Sequence, residues 1–332
     1  MPLLRRRFPV PRLCHHRQKK PFPSSLSLLA QRPRRSSHRS DCLILRRFWL
    51  GLRVRQGFGR GPRHSQSRRT ARHSPAPALN TTRIKEILAA RGLRPLRQLG
   101  QNFLAEPTLA AQIAQAIGPA GSEPVQEIGP GLGALTRALL AAGHSVEALE
   151  IDQGLISFLQ EDFKTEPRFK LIEGDALKTL LSQPPRKLLC GNLPYSISTP
   201  LLVQLALRQP PPETVVVTLQ KEVADRFAAQ PRSSDYGAVT VLLQTVFQIE
   251  KVRALPPEVF YPRPRVDSAV LRLLRRPSIP GGLEKFYAFV RKGFSQRRKQ
   301  LKRVLPVNLA RRAEELDPSE WWQLYEQCGR AI

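Results

Sequence analysis

From Thr81 onward the apolar positions recur with two alternating periods. Val125–Ile128, Val146–Glu150, Lys170–Ile172, Lys187–Cys190 and Thr214–Leu219 are short runs of strand character. Ala134–Ala142 and Gly154–Glu161 lie between them and repeat at helical spacing. Upstream, Thr82 can cap a short helix over Arg83–Ala90, and Leu109, Ile113, Ala116 and Ile117 form one helical face after Pro107. A further strand pair around Val246–Val252 and Ala269–Leu274 would complete a sheet. Strands alternating with helices imply an α/β fold with a parallel sheet covered on both faces.

Two composition breaks divide the chain. Pro277–Gly282 (Pro-Ser-Ile-Pro-Gly-Gly) is a breaker cluster. It separates a domain expected over 81–276 from a small helical one over 277–332, where Trp321, Trp322 and Tyr325 share a final amphipathic segment. The other break is near residue 80. Residues 1–80 show no sustained period and are expected to be disordered, because they cannot bury enough apolar surface to offset ordering entropy. Three readings of this stretch remain open: a translated upstream region, a targeting segment, or a basic RNA-binding tail. Met1 is the only methionine, so an internal start would need a non-AUG codon, for example at Val54 or Leu79.

The net charge of +28 over 332 residues points to an anionic partner. Residues 1–80 hold 20 Lys and Arg against one acid, Asp41, which leaves +9 for residues 81–332. That remainder suits an RNA-binding enzyme. The longest early apolar patch, Cys42–Leu45 and Phe48–Leu52, is split by Arg46 and Arg47, well short of a membrane span. Cys14, Cys42, Cys190 and Cys328 show no paired spacing and read as free thiols, with no zinc site.

The candidate chemistry sits at strand ends. Glu127-Ile128-Gly129-Pro130-Gly131-Leu132-Gly133 follows a strand and opens a helix, where glycines let the backbone approach a ligand closely. On its own this turn also suits dinucleotide enzymes. Glu150 ends the next strand, where a carboxylate can take both ribose hydroxyls of a nucleoside. Asp175 ends the third, in Gly-Asp-Ala-Leu, and suits a helix cap as well as a ligand for an adenine amine. The fourth ends in Gly191-Asn192-Leu193-Pro194-Tyr195. An adenine amine is a poor nucleophile because its lone pair is delocalised into the ring. Accepting both amine hydrogens lets the nitrogen pyramidalise, and the Asn192 side-chain carbonyl and Leu193 backbone carbonyl can supply those acceptors. Pro194 stiffens the loop, and Tyr195 offers a face for an extruded base. His144 is the one histidine after residue 80; it reads as a surface residue, so no general base is expected.

Six segments carry a resemblance. Leu99–Leu104, Glu127–Gly133, Asn192–Tyr195, Gln220–Ala224, Phe260–Ser268 and Phe294–Lys299 resemble the ribosomal RNA adenine dimethyltransferase family, from about Arg83 to the C-terminus. The resemblance implies a Rossmann-like class I methyltransferase domain with a C-terminal helical domain, and S-adenosylmethionine as cofactor. It implies that Asn102 and Leu104 close over the methionine end of the cofactor, with Gly129 and Gly131 beneath its carboxylate. Glu150 would meet the ribose, and Asp175 with Ala176 the adenine. Asn192 would face both the methyl group and the target amine, and Tyr195 and Phe260 would sandwich the target base, though Tyr261 is adjacent to Phe260 and only one need stack. Arg297, Arg298, Lys299 and Lys302, expected on a helix opening the second domain, would meet RNA backbone rather than form a merely solvated face.

The branch resembled is the bacterial one that dimethylates two adjacent adenosines in the 3′-terminal hairpin of 16S rRNA, within the small ribosomal subunit. A monomer in the cytoplasm is expected, or an organellar protein if residues 1–80 are a targeting segment. Three rival readings differ in the features they leave unexplained. A nicotinamide oxidoreductase leaves Asn-Leu-Pro-Tyr unexplained and lacks a hydride-transfer acid. An erythromycin-resistance sibling acting on large-subunit RNA shares the motifs. A non-enzymatic assembly factor would be free to lose cofactor residues, and this chain keeps them.

Overall fold

A computed structural model describes residues 79–328; the expectations for residues 1–78, Cys14 and Cys42 among them, lie outside the described residues. In chain order the elements begin with α1 (Thr81–Ala90), β1 (Phe103–Leu104), α2 (Pro107–Ile117), β2 (Val125–Ile128) and α3 (Ala134–Ala141). β3 (Val146–Glu150), α4 (Gln153–Asp162), β4 (Phe169–Glu173), α5 (Ala176–Ser182) and β5 (Leu188–Asn192) follow. Next come α6 (Tyr195–Leu207), β6 (Thr214–Gln220), α7 (Lys221–Phe227), α8 (Ala238–Val246) and β7 (Phe247–Leu255). β8 (Phe260–Tyr261), β9 (Ser268–Arg275), α9 (Leu283–Phe294) and α10 (Pro318–Cys328) close the chain.

Seven strands form one sheet in the order β4-β3-β2-β5-β6-β9-β7. The first five run parallel, and β9 is antiparallel to both β6 and β7. β2 and β3 are buried at every position, as strands covered on both faces must be. Successive residues feed opposite faces. Val215 and Val217 join one apolar cluster while Val216 joins the other, and Ala269, Leu271 and Leu273 oppose Val270 in the same way. One face is covered by α1–α4, the other by α6, α8, α9 and α10.

The connections fix where a ligand can sit. β3 and β4 extend the sheet to one side of β2, and β5 and β6 extend it to the other. The order in which strands are added therefore reverses beside β2, and the crevice at the carboxyl ends of β2, β3 and β5 is the natural binding place.

Several local expectations need correction. The cap of α1 is Asn80, whose side chain accepts from the Arg83 N–H at 2.9 Å, and Thr82 lies within the helix. His144 is buried at 1% exposure, under the α3–β3 turn, and burial lowers its basicity. The sequence shows only a polar residue beside a glycine turn, and nothing there signals the packing above it. The basic run 297–302 does not continue as an α-helix: it is irregular up to Gln300 and enters a single 3-10 turn at Leu301–Arg303. α9 stops at Phe294, because Leu301 and Lys302 instead donate their N–H groups to the Arg311 and Leu309 carbonyls at 2.8 and 3.0 Å. Burial of Leu301 anchors that pairing.

After Pro277–Gly282 the chain packs onto the sheet's own core. Phe286, Phe289, Trp321 and Tyr325 are buried in the same cluster as Val215, Val217 and Leu271. Phe289 and Trp321 meet edge to face with centroids 6.1 Å apart. Gly293 permits this packing, because a Cβ there would lie 2.4 Å from the Trp321 ring.

Candidate active site

The carboxyl ends of β2, β3 and β5 open into a cavity of about 260 Å³. Asn102, Leu104, Gly129, Gly131, Glu150, Asp175, Ala176, Asn192, Leu193, Pro194, Tyr195 and Phe260 all line it. Every cofactor and target-base residue expected from the sequence is thus brought together. Tyr261 does not line the cavity and instead carries the Lys85 ammonium 5.4 Å from its ring centre. The two-residue pairing of β1 with β8 sets this choice: Phe260 lies opposite Leu104 and is 4% exposed.

The glycine turn is shaped by backbone geometry. Gly129, Gly131 and Gly133 all take the left-handed conformation, with φ of 66°, 60° and 78°. A Cβ on Gly131 would also meet the Phe103 ring at 3.0 Å. The Arg137 guanidinium ties down the turn by donating to the Leu132 and Gly133 carbonyls at 2.8 and 3.0 Å.

Three carboxylates face this turn differently. Glu150 Oε1 accepts from the Ile151 and Asp152 N–H groups at 2.9 and 3.1 Å, and Oε2 from Gly131 N–H at 3.3 Å. Burial raises its pKa, and those backbone donors oppose the rise. Asp175 caps α5 through Oδ1, which accepts from Leu177 N–H at 2.9 Å, so it is a cap that also lines the cavity. Glu127 accepts from the Thr136 hydroxyl at 2.6 Å, and burial pushes its carboxyl up to about 7.

Asn192 ends β5 with its amide orientation fixed. Its Nδ2 donates to the Asn102 carbonyl at 2.7 Å, which leaves Oδ1 as the acceptor toward the cavity. Gly191 brings this strand end close to β2, since a Cβ there would lie 2.6 Å from the Ile128 carbonyl oxygen. Tyr195 opens α6, and its hydroxyl shares a hydrogen bond of 3.1 Å with Ser268 at the start of β9.

The sequence reading missed two contributors. Gln101 fastens the strap 96–104 by donating to Asp152 at 2.7 Å while accepting from Leu96 N–H at 2.8 Å. Ile151 lines the cavity at 47% exposure, an aliphatic surface beside Glu150. Gln101 lay within a quoted motif, but its partner is 51 residues away, beyond any local pattern. In the basic run, Arg297 is held by Glu314 at 2.5 Å and the Ser233 carbonyl at 3.0 Å, while Arg298, Lys299 and Lys302 are exposed.

The same arrangement has relatives. A family profile described as ribosomal RNA adenine dimethylase matches residues 94–320. A "Ribosomal RNA small subunit methyltransferase A" of Geobacillus thermodenitrificans is 39% identical, over 68% of this chain and 81% of its own. A protein of the same name from Nitrosospira multiformis is 42% identical, over 64% and 83%. Among solved structures, a dimethyladenosine transferase from Plasmodium falciparum is 25% identical with a TM-score of 0.60, over 68% of this chain and 96% of its own. The 23S rRNA methyltransferase ErmE is 29% identical with a TM-score of 0.55, over 68% and 99%. The chain belongs to the ribosomal RNA adenine dimethylase family.

Proposed function

We propose that this enzyme transfers methyl groups from S-adenosylmethionine to the N6 amines of two adjacent adenosines in the 3′-terminal hairpin of 16S rRNA, within the small ribosomal subunit. The observation that carries the proposal is the Asn192 amide, fixed by the Asn102 carbonyl so that its oxygen is the free acceptor. The names of the Geobacillus and Nitrosospira relatives support the small-subunit substrate over a large-subunit one.

The residues suit the cofactor. Glu150 and Asp175 are acceptors for a nucleoside's ribose and amine, Ile151 is an apolar neighbour, and the Gly129–Gly131 backbone leaves the room a Cβ would take. When bound, the cofactor supplies an activated methyl on a sulfonium. Asn192 Oδ1 and the Leu193 carbonyl accept the two amine hydrogens and localise the nitrogen lone pair. Tyr195 and Phe260 hold the base between their rings, with the Tyr195 ring fixed through Ser268. Alignment and polarisation carry the rate, and the excess proton leaves to water. Arg298, Lys299 and Lys302 of the C-terminal segment 277–332 contact the RNA backbone.

The test is methyl transfer by the full chain to small subunits lacking the modification, against its Asn192→Ala variant. Dimethyladenosine at two adjacent hairpin positions is expected, with the variant slower by about 10²–10³-fold, the usual cost of losing one preorganised polar group. Methylation of large-subunit RNA instead, or an undiminished variant, overturns the reading.

A further inference from the structure

The loop from Pro262 to Asp267 joins β8 to β9, and both of its ends are fixed to the aromatic wall of the cavity. Phe260 lies just before it, and Ser268, immediately after it, holds the Tyr195 hydroxyl at 3.1 Å. The Lys221 N–H pins it again by donating to the Asp267 carbonyl at 2.9 Å. Pro262 and Pro264 remove two more backbone freedoms. On this braced loop Arg265 and Val266 face solvent, Val266 at 45% exposure. Arg265 forms no salt bridge among the described residues, whereas Arg263 is paired with Glu258.

Single exposed aliphatic residues are ordinary on protein surfaces. Val252 and Leu181 are of that kind, at 44% and 62% exposure. What sets Val266 apart is its place in the chain, beside an arginine without a salt bridge among the described residues and two residues before Ser268, which holds the Tyr195 hydroxyl. A base drawn out of a stacked strand leaves a gap that its neighbours close unless an apolar group fills it. Resting on the reading of this site as one that extrudes adenines, we propose that Val266 is a wedge that enters the stack vacated by the target base, while Arg265 holds the adjoining phosphate. A β-branched side chain has few rotamers to lose, and a braced loop has little left to order, so the insertion is cheap. Each methyl transfer needs the base extruded, so the wedge acts twice for every dimethyladenosine made.

The test uses the full chain with unmethylated small subunits carrying 2-aminopurine at the target position, whose fluorescence rises on unstacking. S-adenosylhomocysteine is added so that no transfer occurs. The wild-type chain is expected to raise the signal, Val266→Ala to lower the extruded fraction about tenfold, and Val266→Leu to keep it. On ordinary substrate Val266→Ala is expected to accumulate monomethyladenosine. Arg265→Ala is expected to weaken particle binding and reduce the salt slope by about one. An undiminished signal from Val266→Ala overturns the wedge, and so does a loss that Val266→Leu fails to restore. No signal from the wild-type chain, with particle binding intact, overturns the base-extruding reading instead.

Discussion

Glu127 offers a direct test of how burial sets the electrostatics of the site. It is 1% exposed in β2, its donor is the Thr136 hydroxyl at 2.6 Å, and its carboxyl is pushed up to about 7. Desolvation is the main cause; the Thr136 bond opposes it and the neighbouring Glu150 charge adds to it. In the unfolded chain the same carboxyl ionises near 4.5. Between the two values the folded protein keeps a proton that the unfolded chain has released. This contribution to stability is therefore full below about pH 4.5, declines as pH rises and is gone above about pH 7. A shift of about 2.5 units at 1.36 kcal/mol each gives about 3 kcal/mol. Glu127→Gln replaces the acid by an amide that cannot ionise and whose carbonyl can still accept from Thr136. Urea unfolding of both proteins without cofactor, between about pH 4.5 and 8, isolates the carboxyl and its coupling to Glu150, because groups that do not interact with Glu127 cancel in the difference. The variant is expected to gain about 3 kcal/mol on the wild type across that range. A difference that does not change with pH would refute the reasoning and mean that the buried carboxyl ionises at its ordinary value.

Three further outcomes are expected. Gly191→Ala places a Cβ 2.6 Å from the Ile128 carbonyl oxygen, a backbone atom that cannot step aside; thermal unfolding should show a loss of about 1–3 kcal/mol or more, and an unchanged midpoint would contradict the packing. Tyr195→Phe removes the hydrogen bond to Ser268 and keeps the ring, so single-turnover transfer should slow by about 1 kcal/mol or less. Tyr195→Ala should cost about 1–3 kcal/mol of stacking, and equal losses would mean that the hydroxyl matters more than the ring. Replacing Arg298, Lys299 and Lys302 together by Ala should weaken particle binding and flatten its salt dependence, while Arg297→Ala, which breaks the contacts to Glu314 and Ser233, should lower stability.

Much of the fold was legible because its signals are local. β2 and β3 are bounded as expected even though Gln126, Glu127, Glu147 and Glu150 interrupt their apolar positions, and β6, with Val215–Val217, is the continuous apolar run that a strand buried on both faces favours. The two-residue strands β1 and β8 carry no period at all, and only their mutual pairing defines them. The basic run 297–302 reads as helix from its charges, but Leu301 decides otherwise through contacts made far along the chain. The candidate site was legible for a different reason. Glu150, Asp175 and Asn192 stand at strand ends, where position and residue type mark them as candidates, whereas Asn102, Leu104 and Phe260 were implied by the family resemblance alone. The strap's anchors and the burial of His144 depend on partners distant in sequence, and no local pattern encodes those.

The bond that aligns Asn192 ends on a main-chain oxygen of Asn102 and uses none of that residue's side chain. Main-chain oxygens are present whatever amino acid a codon specifies. If Asn102 closes over the cofactor as proposed, drift at position 102 can therefore alter that grip without turning the Asn192 amide, and the two properties are free to evolve at different speeds. A lineage could retune its affinity for the methyl donor by substitutions in the strap while the chemistry on the adenine amine stayed as it was.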